Sequence, residues 1–176
     1  NISKVCSCGV ESDLLLSLSR LVSANASVAY DDATYRDYSN APQAPERLNL
    51  GSIQDLSGQQ LAGAPKWTWQ AGADAAHPLR ELGGRALEAY VHADWSHRST
   101  FNTSVSNSAY TQVAGYGLLN GRIGLRAADG LFDLSVWARN LTNKDYYQRL
   151  SAANTGLVTA IVGEPRTFGL TFRTRL

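Results

Sequence analysis

Hydrophobic and polar residues alternate with a period of two along most of this chain. Near its end, Phe132, Leu134 and Val136 alternate with Asp133 and Ser135. Successive side chains of a β-strand point to opposite faces, so the pattern predicts strands with one apolar and one polar face. Seven segments carry it, and they are residues 5–19, 22–34, 66–76, 85–98, 118–127, 131–140 and 166–176.

The connections between these segments alternate in length. Short connections follow the first, third and fifth segments. The connection after the fifth contains the Asp129-Gly130 sequence that is typical of a tight hairpin turn. Long polar connections, residues 35–64, 99–114 and 141–165, follow the second, fourth and sixth. This rhythm predicts an all-β fold, an antiparallel up-and-down meander of about seven strands with all long loops at one end.

Charged residues are confined to one face over the central part of every predicted strand. The apolar positions there contain no Asp, Glu, Lys or Arg, although 18% of the residues in the chain are charged. These positions are every second residue of 10–18, 22–30, 67–75, 87–97, 119–127, 132–140 and 168–176. A soluble β-sandwich and a membrane β-barrel would both produce such faces. Two features favour the barrel, namely the many alanines on the apolar face and the aromatic residues at its strand ends. The aromatic residues at the long-loop end are Tyr30, Trp67, Trp69, Trp95 and Phe168.

Composition narrows the possible functions. The net charge of +1 gives no reason to expect a nucleic-acid partner. The three histidines lie beside no nucleophile in a recognised motif, so no enzyme activity and no cofactor are expected. Cys6 and Cys8 are interpreted as plain strand positions rather than as metal ligands or a redox pair, and the adjacent Asp31 and Asp32 as solvated; no metal site is predicted. The chain contains no methionine, and we expect it to be a piece of a longer protein.

Three motifs in the last third of the chain resemble one known family. Residues 136–146 read VWARNLTNKDY, residues 163–170 read GEPRTFGL, and residues 115–124 read GYGLLNGRIG. In their order and spacing along the chain, these motifs resemble the last strands of TonB-dependent outer-membrane receptors. The resemblance implies that residues 1–176 are the C-terminal portion of a transmembrane β-barrel, without the plug domain and the earlier strands.

The same resemblance implies a function. Such receptors bind a scarce ligand, such as a ferric siderophore, a cobalamin or an oligosaccharide, and import it across the outer membrane of a Gram-negative bacterium with energy delivered by TonB. The implied partners are outer-membrane lipid, the absent plug domain and barrel strands, the TonB complex through the absent N-terminal part, and a small-molecule ligand. Two alternatives stay open, a passive porin-type barrel and a soluble all-β binding module.

The resemblance also suggests site residues. Polar wall residues would face the lumen and the plug, where Arg122, Arg126, Arg139 and Arg173 would pair with carboxylates or simply be solvated. Ligand contacts are expected in the long loops, because aromatic residues and arginine dominate recognition surfaces. The candidates there are Tyr35, Arg36, Tyr38, Phe101, Tyr110, Tyr146, Tyr147 and Arg149.

Overall fold

The structure, a computed structural model, describes residues 4–81 and 83–175, and nearly all of its regular elements are strands. The strands in these residues are β1 (Lys4–Cys6), β2 (Gly9–Ser17), β3 (Val22–Asp31), β4 (Thr34–Asp37), β5 (Ala41–Pro42), β6 (Ile53–Gln54), β7 (Trp67–Pro78), β8 (Leu87–Arg98), β9 (Phe101–Asn102), β10 (Gln112–Val113), β11 (Tyr116–Ala127), β12 (Phe132–Arg139), β13 (Tyr147–Ala152), β14 (Val158–Val162) and β15 (Thr167–Thr174). Two short 3-10 helices span Pro45–Leu50 and Ala109–Thr111. In the described part of the chain, no helix is long and apolar enough to cross a membrane.

Seven long strands form one antiparallel sheet in the order β2-β3-β7-β8-β11-β12-β15. Each strand pairs with the long strand before it in the chain, so the predicted all-β, up-and-down meander is confirmed. Strands β2 and β15 lie at the two edges of the sheet. Because direction reverses at each step, the short turns lie at one end and the long loops at the other.

The register of the sheet unites the apolar positions of all seven strands on one face. Val28 lies opposite Trp69, Ala73 opposite Ala93, Val91 opposite Ile123, and Val136 opposite Leu170. A shift of one residue between any two strands would have moved one whole set to the other side. The face assignment made from alternation therefore holds across every pairing.

This apolar face is open to its surroundings. The side chains of Ile123 and Leu170 are 63% and 70% exposed, and no second layer covers the face within the described residues. Most of the buried hydrophobic side chains lie in or beside the long loops instead. One cluster contains Tyr35, Tyr38, Ala41 and Leu56, and the other contains Phe101, Val113 and Tyr116.

The first two predicted strands differ from the observed ones. The predicted strand 5–19 is interrupted at Ser7 and Cys8, and β1 leaves the main sheet to pair with β4. The break lies beside a close approach of the chain at Gly9, where an added Cβ would overlap the Tyr30 carbonyl oxygen. The predicted strand 22–34 likewise ends at Asp31, and the chain beyond it turns into β4.

The other long strands match the prediction to within about two residues at each end of the described part, while Leu176 of the last predicted strand lies outside the described residues. The hairpin turn between β11 and β12 is confirmed. Gly130 has a φ of 76°, and its N–H donates to the Ala127 carbonyl at 2.9 Å.

The three long connections contain structure that the alternation does not predict. We call them loop A (32–66), loop B (99–115) and loop C (140–166). Loop A contains β4, β5, β6 and a 3-10 helix, loop B contains β9, β10 and the other 3-10 helix, and loop C contains the hairpin of β13 and β14.

Candidate functional site: the polar face and the loop layer

Ion pairs and hydrogen bonds cross the polar face of the sheet near its short-turn end. The Arg126 Nε donates to Glu88 Oε1 at 2.7 Å, joining β11 to β8. The Tyr90 hydroxyl donates to Asp133 at 2.8 Å, and the guanidinium of Arg126 lies 5.1 Å from the Tyr90 ring centre. Strands β8, β11 and β12 are thus linked by side chains as well as by backbone hydrogen bonds.

His92 bridges two carboxylates on the same face. Its Nδ1 lies 2.8 Å from Asp74 on β7, and its Nε2 lies 3.4 Å from Asp94 on its own strand. The Asn120 amide donates to the second oxygen of Asp94 at 2.7 Å. This chain of contacts spans three adjacent strands, β7, β8 and β11, in the middle of the sheet.

Two glycines on the polar face leave room for aromatic rings. An added Cβ at Gly124 would lie 2.5 Å from the Tyr90 ring, and one at Gly169 would overlap the Trp137 ring. The Trp137 indole also donates to Thr171 at 3.1 Å. Aromatic rings that lie across cross-strand glycines protect the backbone there and help to fix the register.

Three of the four predicted wall arginines, Arg122, Arg126 and Arg139, line a groove of about 680 Å³ on this polar face. Arg122 lies opposite His92 in the register, and the Arg139 guanidinium lies 5.3 Å from the Trp137 ring centre. Arg173 lies opposite Asp133 on the edge strand β15. Contact between these arginines and a plug domain stays a prediction.

A second pocket, of about 630 Å³, lies where the sheet meets the loops. The Arg98 guanidinium lies 5.8 Å from the Phe101 ring centre and 5.5 Å from that of Tyr116, and the Tyr116 and Tyr146 rings are 4.4 Å apart. Sequence reasoning missed this grouping, because its members come from three separate segments. The sequence indicates this grouping only through Arg98, which lies at the end of a strand on the polar face.

The three long loops are bound to one another. The Glu46 carboxylate of loop A accepts hydrogen bonds from the Ser108 hydroxyl at 2.7 Å and the Ala109 N–H at 2.8 Å, both in loop B. The Thr103 hydroxyl of loop B donates to the Leu150 carbonyl of loop C at 2.5 Å. We call this connected assembly of loops A, B and C the loop layer.

The structure separates the eight predicted ligand residues into two groups. Tyr35, Tyr38 and Phe101 are buried in the loop clusters, where Tyr35 is only 1% exposed, so these side chains stabilise the loops and offer no free surface. The other five stay candidates for contact, and Tyr110 is the most open of their large hydrophobic side chains at 57% exposure. These partly or fully exposed residues are Arg36, Tyr110, Tyr146, Tyr147 and Arg149.

The NLTNK motif closes the base of loop C. Asn140 adopts a positive φ of 49°, and its amide donates to the Lys144 carbonyl at 2.9 Å and the Glu164 carbonyl at 3.0 Å. The Lys144 N–H donates back to the Asn140 side-chain oxygen at 2.8 Å. Gly163 lies against the Tyr146 ring, which an added Cβ would overlap. The segments around Asn140 and Gly163 are therefore held together by the Asn140 amide, and the position of Gly163 leaves no room for a side chain.

The structure describes no metal centre. Within residues 4–81 and 83–175, no group of three or more His, Cys, Asp or Glu side chains is arranged to hold an ion. Cys6 and Cys8 are both free thiols, and the Arg36 guanidinium lies 3.9 Å from the Cys6 sulfur.

The contact between loops A and B is expected to depend on pH through Glu46. Partial burial by itself would raise the pKa of this carboxyl, but hydrogen bonds from Ala109 and Ser108 and the nearby Arg47 charge lower the pKa below its ordinary value of 4.5. A lowered pKa in the folded state means that the contact stabilises the loops at neutral pH and is lost as the pH falls through the lowered value.

Hydrogen exchange of the Ala109 amide tests this expectation. We expect its protection, once corrected for intrinsic rates, to persist from neutral pH down to the ordinary glutamate pKa of 4.5 and to fall at lower pH. Glu46→Ala should remove the protection at every pH, because the acceptor itself is lost. Asp145→Ala removes an exposed carboxylate of loop C and serves as the control substitution. Protection that is unchanged in Glu46→Ala would contradict the proposed role of this carboxylate.

Comparison with known proteins identifies the fold. No protein-family model matches the chain, and no curated protein matches its sequence. Among solved structures, the chain is similar to the ferric yersiniabactin uptake receptor FyuA from Yersinia pestis, with a TM-score of 0.72 and 15% identity. The match covers 97% of this chain and 23% of the receptor chain. The fold of this chain is therefore similar to that of a segment of this receptor's β-barrel.

Proposed function

We propose that this chain forms part of the wall of an outer-membrane receptor in a Gram-negative bacterium. The observation that carries the proposal is the complete separation of charge across the sheet. Every Asp, Glu, Lys and Arg of the seven long strands lies on the polar face, while most of the apolar face is exposed. A charged side chain on the lipid face of a barrel costs up to about 2–4 kcal/mol, so a charge-free exposed face is what contact with lipid requires.

We propose further that the whole protein imports a scarce ligand with energy transmitted by TonB. The motifs at residues 115–124, 136–146 and 163–170 support this class of receptor, and so does the likeness to an uptake receptor. Residues 1–176 would supply wall strands and three loops. The plug domain, the contact with TonB and the other barrel strands would belong to the rest of the protein. Ferric siderophores, cobalamins and oligosaccharides are the ligand classes proposed.

Two other functions are less well supported. A passive porin would share the exposed apolar face, but the motifs at residues 136–146 and 163–170 resemble those of TonB-dependent receptors. A soluble binding module would have to keep side chains such as Ile123 and Leu170 in water, and contiguous apolar surface of that extent is rare on soluble monomers.

Uptake by living cells distinguishes these functions. Cells that express the full-length protein are given a radiolabelled ferric siderophore, cyanocobalamin or a neutral oligosaccharide, with and without a protonophore. We expect the protein in the outer-membrane fraction and an uptake of at least one compound that the protonophore abolishes. Uptake that survives the protonophore would indicate a passive pore. Recovery of the protein in the soluble fraction would contradict membrane insertion.

A further inference from the structure

The boundary between loops A and B contains a cleft of about 440 Å³, a volume in the range of small-molecule sites. Eleven residues line it, and all of them are polar or aliphatic. Glu46, Arg47 and Gln59 come from loop A, while Asn107 and Gln112 come from loop B. The cleft is separate from the groove on the polar face and from the pocket at Arg98.

The walls of this cleft are held in place before any ligand arrives. Glu46 binds Ser108 and Ala109 across the boundary, and the Gln54 amide donates to the Ser106 carbonyl at 2.7 Å. The Asn102 side chain is held within loop B, because its amide donates to Ser108 and its oxygen accepts from Ser104 and Thr111. A cleft whose walls are already fixed loses less freedom on binding.

Other lining side chains keep free hydrogen-bonding groups. In the part of the chain that the structure describes, the side chains of Arg47, Gln59 and Gln112 form no hydrogen bond. Each glutamine offers one carbonyl acceptor and two N–H donors, and the guanidinium offers donors only. The free groups are thus a mixture of donors and acceptors at both sides of the cleft.

The charge of the cleft decides between ligand classes. Hydrogen bonds from Ser57 lower the pKa of the Asp55 carboxyl, and Glu46 has a lowered pKa as well, so both are ionised at neutral pH. The single guanidinium of Arg47 offsets only one of these two negative charges, so the lining has a net negative charge. A cleft of this sign repels polyanions, including anionic metal chelates.

We infer that the cleft between loops A and B binds a neutral, hydroxyl-rich ligand of the carbohydrate type. A hydroxyl both donates and accepts, so a sugar can use the amide groups of Gln59 and Gln112 in either direction. This inference rests on the proposed function, because it treats the loop layer as the outer surface of a receptor, and it narrows the ligand class within that function.

The test uses the purified full-length protein in detergent, with maltotriose, cellotriose and tri-N-acetylchitotriose as neutral probes and ferric 2,3-dihydroxybenzoate as the anionic probe. Calorimetry is expected to detect binding of at least one trisaccharide. The double variant Gln59→Ala, Gln112→Ala should weaken that binding about tenfold or more, because two hydrogen-bonding side chains are lost. Asn154→Ala, an exposed amide at the tip of loop C, should leave it unchanged.

The variants must keep the heat-modifiable gel mobility of the wild type, which shows that the barrel has assembled. The inference is overturned if no trisaccharide binds, or if binding is equal in the double variant and the wild type. Protonophore-sensitive uptake of a ferric complex that is indifferent to the double variant would overturn this inference and leave the proposed function standing. Cleft-dependent sugar binding without energy-dependent uptake would support the inference and overturn the proposed transport.

Discussion

Val136→Arg and Leu170→Arg are each expected to lower the free energy of unfolding of the full-length barrel by about 2–4 kcal/mol. The two residues lie opposite each other, midway along β12 and β15, on the exposed apolar face. An arginine there would place a charge in the hydrocarbon layer far from either interface. Urea titration in lipid vesicles, followed by tryptophan fluorescence, measures the loss.

The matched control is Gln70→Arg on β7. Gln70 lies on the polar face, is exposed, and has Ser27 and Ser96 as its register partners, so an arginine meets neither lipid nor a crowded neighbour. Ser135 also lies on the polar face, on β12, but it is only 2% exposed, so a larger side chain would not fit at this position. Equal losses at Gln70 and Val136 would show that the two faces have been assigned wrongly.

The 176-residue chain expressed alone is expected to form no stable monomer. Strands β2 and β15 each pair on one side only within the described residues, which leaves two rows of backbone N–H and C=O groups without partners. Such groups cost several kcal/mol each in lipid. In water, open strand edges promote aggregation.

Gel electrophoresis without heating tests this second prediction. The isolated chain, refolded in detergent, should migrate at the same position before and after heating, because no closed barrel resists the denaturant. The full-length protein, treated identically, should shift on heating. A compact, heat-modifiable monomer of the isolated chain would mean that the sheet closes on itself, and the description of an open wall segment would then be wrong.

The strands could be predicted because alternation is a local signal. The observed Phe132–Arg139 lies within the predicted 131–140, and Tyr116–Ala127 begins two residues before the predicted 118–127. The shared apolar face followed as well, since the wrong register would have placed charges such as Arg126 among apolar side chains. Partners such as Glu88 for Arg126 could not be predicted, because they depend on the stagger between strands.

The loop layer could not be predicted for a different reason. Burial of Tyr35 and Phe101 results from packing within and between loops, and the composition of those segments indicates only that they are polar. The contact from Glu46 to Ser108 joins residues that lie far apart in the sequence and has no local signature. Composition alone therefore predicts that aromatic residues of polar loops are accessible to a ligand, whereas the side chains of Tyr35, Tyr38 and Phe101 are buried.

One face of the sheet is expected to contact lipid, and the other is not. Nitroxide spin labels placed one at a time at residues 132–139 of the full-length protein test this expectation, in lipid vesicles and with Cys6 and Cys8 replaced by serine. Collision rates with oxygen and with a polar nickel chelate are measured for each label. Oxygen accessibility should peak at positions 132, 134 and 136 and fall between them, because those side chains lie on the apolar face. Low accessibility to both reagents at positions 134 and 136, as in a packed protein core, would show that the apolar face does not contact lipid.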